Sequence, residues 1–176
     1  MPSTLAGQLV QAAAALDESR TPFALIGGMA LAFHGVMRGT RDIDFLVDAS
    51  DADTVDRVLK RLGYESAHRS DDAATYVRGA ERVDLLYARR PIARRLLQGA
   101  HSVEGALGKL RVVSGEGLIA FKLQAVVNDP ARTQDIEDIR ALLRANRESL
   151  DLGEVREYFR LFDRESQLDD LLEEAG

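Results

Sequence analysis

Apolar residues recur along this chain in two rhythms. Leu5, Leu9, Ala12, Ala13 and Leu16 follow helical spacing and predict an amphipathic helix over about 4–20, broken by Thr21-Pro22. Phe23 to Ile26 is a short apolar run that reads as a buried strand, and Gly27-Gly28 ends it. A short apolar helix follows. Residues 42–48 read as the next strand, and 49–51 can cap a helix carrying Val55, Val58, Leu59 and Leu62 that stops at Gly63. Stretches 64–68, 74–78 and 82–87 read as short strands joined by polar turns. Pro91 opens a short helix, and 110–113 is the last predicted strand. Ser114 can cap an apolar helix over about 116–127 that Asp129-Pro130 ends, and two or three helices cover about 131–145, 152–162 and 166–174. The pattern predicts an α/β chain of the α+β kind. A sheet flanked by helices occupies 1–113, and a helical segment, 114–176, packs on it.

Within this pattern a few residues stand out. Two consecutive glycines at the end of a buried strand permit a sharp turn and close approach to a ligand. The amides opening the next helix then suit phosphate. Asp42 and Asp44 lie at i and i+2 on the second strand, so both carboxylates face one side. An isolated Asp-x-Asp is usually a solvated or capping pair. Asp84 changes the weighting, because it interrupts the apolar strand Val83-Asp84-Leu85-Leu86-Tyr87, and a buried carboxylate needs a partner or a metal. Three carboxylates on adjoining strands repel one another, and an oxygen-only donor set favours Mg2+ or Mn2+.

Lys122 interrupts a helix that is apolar nearly all round, Leu118-Ile119-Ala120-Phe121-Lys122-Leu123. One reading is a lysine that snorkels or pairs with a structural carboxylate; the other is a cation aimed at phosphate. On the second reading, Lys122→Met weakens transfer with little loss of stability. Asp135 and Asp138 open the next helix at i, i+3 spacing, either as macrodipole-favoured acids or as functional groups. His34 reads as a satisfied helix-end histidine. The basic run 89–95 reads as a solvated helix face, with polyanion contact as the alternative.

Composition narrows the field. With 176 residues and 45% apolar content, the chain can bury one substantial core. There are no cysteines, which excludes disulfides, cysteine-ligated zinc and thiol catalysis. The net charge of −6 argues against a general electrostatic grip on nucleic acid. No apolar run is long enough to span a membrane, and no leader pattern is present, so a cytoplasmic location is expected.

The pattern Gly-Gly-x-Ala-x-x-x-x-Gly-x-x-Arg-x-Thr-x-Asp-Ile-Asp over Gly27 to Asp44 resembles the nucleotidyltransferase superfamily typified by DNA polymerase beta. Asp84, Lys122 in Leu-Ile-Ala-Phe-Lys-Leu-Gln-Ala, and Asp135 in Gln-Asp-Ile-Glu-Asp-Ile extend the likeness toward the minimal, AbiEii-like branch, which includes toxins of toxin–antitoxin systems. The resemblance covers most of 20–145. It implies a nucleotidyltransferase-type mixed sheet and metal-dependent transfer of a nucleoside monophosphate from an NTP to a hydroxyl. On that implication Asp42, Asp44 and Asp84 hold Mg2+ or Mn2+, and Asp84 also orients the attacking hydroxyl. Gly27 and Gly28 cradle phosphates, Lys122 offsets pyrophosphate charge, Arg38 and Thr40 brace the loop or touch phosphate, and Asp135 positions Lys122 or the acceptor. The implied acceptor is RNA for a toxin, with an antitoxin protein as partner, or else a small molecule such as an aminoglycoside. Met29 stands where relatives often carry Ser or Thr, which keeps a nucleotide-binding protein without activity as a further alternative.

Overall fold

The computed structural model describes residues 4–176 and contains two compact units. One comprises the described residues up to Met29 together with Gly39–Val113; the other comprises Ala30–Arg38 and Ser114–Gly176.

The first unit is built on a seven-stranded mixed sheet. Its strands are β1 (Phe23–Ile26), β2 (Ile43–Asp48), β3 (Glu65–Arg69), β4 (Ala73–Arg78), β5 (Glu81–Ala88), β6 (His101–Gly105) and β7 (Gly108–Val112), in the spatial order β3-β4-β5-β2-β1-β7-β6. β2 runs parallel to β5 and β1 parallel to β7; the other neighbours are antiparallel. All four residues of β1 are buried, as an uninterrupted apolar strand in the middle of a sheet should be. β2 instead alternates on its first half: Ile43, Phe45 and Val47 are fully buried, while Asp44 and Asp48 are part-exposed. Helix α1 (Leu5–Glu18) buries Leu9, Ala12, Ala13 and Leu16, with the Thr4 hydroxyl accepting from the Gly7 amide at its start. Helix α3 (Ala52–Arg61) follows a 3-10 turn over Ala49–Asp51 and buries Val55, Val58 and Leu59. Helix α4 (Pro91–Gln98) has its proline in the first turn, where no amide is needed.

The boundary between the units falls inside α2 (Gly27–Phe33). The second unit is otherwise helical: α5 (Gly115–Asn128), α6 (Thr133–Asn146), α7 (Leu152–Leu161) and α8 (Glu165–Ala175). The Ser114 hydroxyl accepts from the Gly117 amide at 3.1 Å and caps α5. Helix α5 packs on α6 and α7, and α8 packs on both of these. Ile119, Leu123, Ile139, Leu142, Leu143, Val155, Phe159 and Leu168 are fully buried there. The loop after α2 is tied to α6 by Asn146, whose amide donates to the His34 carbonyl at 2.8 Å. Among the described residues, no helix is long and apolar enough to cross a membrane.

Candidate active site

Register explains how the first unit gathers its carboxylates. Asp44 on β2 lies directly opposite Asp84 on β5, and Asp84 lies opposite Thr75 on β4. Residues opposite one another in a sheet project to the same face, so these three side chains stand in one row across three strands. Asp42, expected on the same strand, instead lies just before β2 begins at Ile43, and its charge still acts on Arg82 beside Asp84. Adjacent strands lie less than 5 Å apart, so two carboxylates in this arrangement repel unless a cation is shared between them.

The glycine pair is packed against the same stripe. Gly27 has φ +68°, in the left-handed region that favours glycine, and a Cβ there would lie 2.1 Å from Asp44 Oδ2. A Cβ on Gly28 would lie 2.7 Å from Thr40 Oγ1. The turn between β1 and α2 therefore rests its first residue on Asp44 and its second on Thr40. Thr40 in turn donates to the Asp42 carbonyl at 3.4 Å. The structure thus brings Gly27, Gly28, Thr40, Asp42, Asp44 and Asp84 together in the first unit.

A residue that sequence reasoning overlooked completes this group. Arg82 forms a forked pair with Asp84, Nε to Oδ2 at 2.7 Å and Nη2 to Oδ1 at 3.1 Å, and the Thr75 hydroxyl donates to Oδ1 at 2.6 Å. The guanidinium is held above its ordinary basicity, chiefly by the hydrogen bonds and charge of Asp84, with Asp42 and Asp44 adding to the same effect. The signal was available: Arg82 sits two residues before Asp84 on a strand, hence on its face. For a divalent ion, the donor set is right in kind, since three carboxylates and no sulfur or nitrogen suit a hard cation. The backbone register is also right. With Asp84 turned to Arg82 and Thr75, however, no three acidic or histidine side chains among the described residues already converge on one point.

In the second unit, Lys122 is buried, at 7% exposure, between two aspartates of α6. Its Nζ donates to Asp135 Oδ1 at 3.0 Å and to Asp138 Oδ2 at 2.6 Å. Asp138, 2% exposed, also takes Arg38 Nε at 3.0 Å and the Gln134 amide at 3.0 Å. Asp135 takes Arg132 Nε at 2.6 Å. Burial pushes the Asp135 carboxyl up, but the hydrogen bonds and charges of Arg132 and Lys122 outweigh it and hold the group below its ordinary value of 3.8. Here the structure brings Lys122, Arg38 and Asp135 together: Lys122 bridges Asp135 and Asp138, and Asp138 also carries Arg38. The i, i+3 spacing of Asp135 and Asp138 was visible in the sequence, yet only Asp135 was given a role.

The basic run is engaged locally. Arg94 lies 3.2 Å from Asp48, and Arg89 donates to the Asp71 carbonyl at 2.6 Å.

The family model of uncharacterised nucleotidyltransferases matches residues 3–173. Among curated proteins, no sequence matches the chain. Among solved structures, the antibiotic-resistance factor ANT(2″)-Ia is similar over 97% of this chain and 97% of its own, with a TM-score of 0.70 and 21% identity. The same protein in complex with adenylyl-2″-tobramycin matches over 92% of this chain and 98% of its own, with a TM-score of 0.66 and 21% identity. The lincosamide antibiotic adenylyltransferase LnuA, lincomycin-bound, is similar over 72% of this chain and 89% of its own, with a TM-score of 0.53 and 17% identity.

Proposed function

The chain belongs to an uncharacterised family of nucleotidyltransferases, and from that premise we propose that it moves a nucleoside monophosphate from a metal-bound NTP to a hydroxyl on a small, aminoglycoside-like acceptor. The observation that carries the chemistry is the row formed by Asp44 and Asp84, with Gly27 seated on Asp44. What favours a small acceptor is that the fold likeness to ANT(2″)-Ia runs over 97% of both chains. An RNA acceptor, with an antitoxin partner as in AbiEii-like toxins, is the competing outcome.

In this proposal Asp42, Asp44 and Asp84 hold Mg2+ or Mn2+. The bound ions would supply charge neutralisation for the attacking and leaving oxygens of an in-line displacement. Asp84 orients the acceptor hydroxyl and receives its proton as the oxygen attacks the α-phosphorus, the bond from that phosphorus to the bridging oxygen breaks, and pyrophosphate leaves. Gly27 and Gly28 present backbone amides with no side chain in the way. In the second unit, the Arg38 side chain is 32% exposed while Asp138 and Lys122 behind it are buried. We assign Arg38 to phosphate and give Lys122, Asp135 and Asp138 the task of positioning it.

The test is label transfer. Each α-labelled NTP with Mg2+ is offered to a panel of aminoglycosides and lincosamides and, separately, to total RNA, with pyrophosphate release measured in parallel. Label on a small molecule, abolished in Asp44→Asn with the fold intact, supports the proposal. Label on RNA, with growth arrest on expression, replaces the acceptor. Triphosphate binding without pyrophosphate release on any acceptor gives the inactive-protein reading, and full activity in Asp44→Asn removes the metal-carboxylate chemistry.

A further inference from the structure

We propose that Arg82 is a placeholder cation: its fork occupies Asp84 until a divalent ion arrives, and metal binding requires Asp84 to leave Arg82. The inference rests on the carboxylate site proposed above and adds a control on its loading.

Three observations support it. Arg82 uses two nitrogens on the two oxygens of Asp84, and Thr75 adds a third donor at 2.6 Å. A carboxylate satisfied in this way has both oxygens committed, which leaves Asp42 and Asp44 short of their third ligand. Second, Asp84 and Asp44 are in register, so turning the Asp84 side chain toward Asp44 needs no backbone movement. Third, the clamp is built to open. The Arg82 side chain is 49% exposed and that of Asp84 23%. Exposed ion pairs are weak because water can take over both partners, so a divalent ion held by three carboxylates can displace the arginine. Once released, the guanidinium stays beside the acidic stripe and is free to meet an incoming anion.

A clamp of this kind differs from a residue that merely braces the strand. Removing a brace leaves metal affinity unchanged or lowers it; removing a competitor raises it. Mn2+ alone, followed by the electron paramagnetic resonance signal of the free ion, is the probe, and no turnover is required. We expect Arg82→Gln to bind Mn2+ about tenfold more tightly than the parent, the size of change that altering a ligand's immediate partner brings. Arg82→Lys keeps the charge and loses the fork, so it should fall between the two. In an Asp84→Asn background, where there is no carboxylate to compete for, Arg82→Gln should change Mn2+ affinity less than twofold. Unchanged or weaker Mn2+ binding in Arg82→Gln overturns the inference. A gain of equal size in the Asp84→Asn background also overturns it, because the arginine then acts through space and not by holding Asp84. Failure of the underlying site has a separate signature: Mn2+ binding that does not depend on Asp44, measured with Asp44→Asn in the same series.

Discussion

Replacing Lys122 with Met removes the charge that joins Asp135 to Asp138. The lysine is 7% exposed and its two partners are 6% and 2% exposed, so water replaces little of what is lost. Deleting one member of a buried ion pair costs roughly 3–5 kcal/mol, because the remaining charge is left in low dielectric. Arg38 still reaches Asp138, and Arg132 still reaches Asp135, so the lower end applies, about 3 kcal/mol. For a chain of this length each kcal/mol shifts the melting temperature by about 2–4 °C, which makes the expected fall about 6–12 °C. The sequence alone suggested that this substitution would leave stability nearly unchanged, and the two buried aspartates replace that expectation. Calorimetric melts of the parent, Lys122→Met, Asp138→Asn and the double variant form a cycle. The double variant should lose less than the sum of the single losses, by about 1–3 kcal/mol. A Lys122→Met protein melting within about 2 °C of the parent, or strictly additive losses, would refute the claim that this ion pair joins α5 to α6.

Two further outcomes follow from the geometry. Gly27→Ala puts a Cβ 2.1 Å from Asp44 Oδ2 on a residue with φ +68°, so Asp44 must move. Transfer activity should fall about a hundredfold or more, as for a reacting group displaced by an ångström, and the melting temperature should drop in the same preparation. Asp135 has a carboxyl pKa below 3.8 in the fold, so its contribution to stability is present above that value and is lost as pH falls through the lowered one. Asp135→Asn should therefore melt below the parent at neutral pH and converge with it in melts taken at successively lower pH beneath 3.8.

Much of the scaffold was readable because its signals are local. The apolar run of β1, the Ser114 cap of α5 and the proline at the start of α4 each act within a few residues, and each element formed where its signal lay. Strand β6 was not read, for an equally local reason. His101–Gly105 is an edge strand with four exposed positions and one part-buried valine, so it carries no hydrophobic rhythm; pairing with β7 makes it a strand. The helix over α6 was predicted from about residue 131 but begins at Thr133, because Ala131 and Arg132 take up a turn held by the Asp129 carboxylate and carbonyl.

The candidate site divides along a different line. Residues that matter because of their own chemistry were visible: a glycine pair, carboxylates in apolar strands, and a lysine in an apolar helix. Residues that matter because of what stands opposite them were hidden, since register between strands far apart in sequence is a tertiary property. Thr75 is an unremarkable strand threonine until β4 places it across from Asp84, and Arg82 is an ordinary exposed arginine until Asp84 turns toward it. The same holds for Asp138, which looks like a helix-start acid and is in fact 2% exposed with Lys122, Arg38 and Gln134 all upon it. Counting charge makes the consequence concrete. Lys122, Arg38 and Arg132 bring three positive charges to the two negative charges of Asp135 and Asp138. In the first unit, Asp42, Asp44 and Asp84 bring three negative charges to the one positive charge of Arg82. A divalent cation would answer the excess on that stripe, which is what the proposed function asks of it.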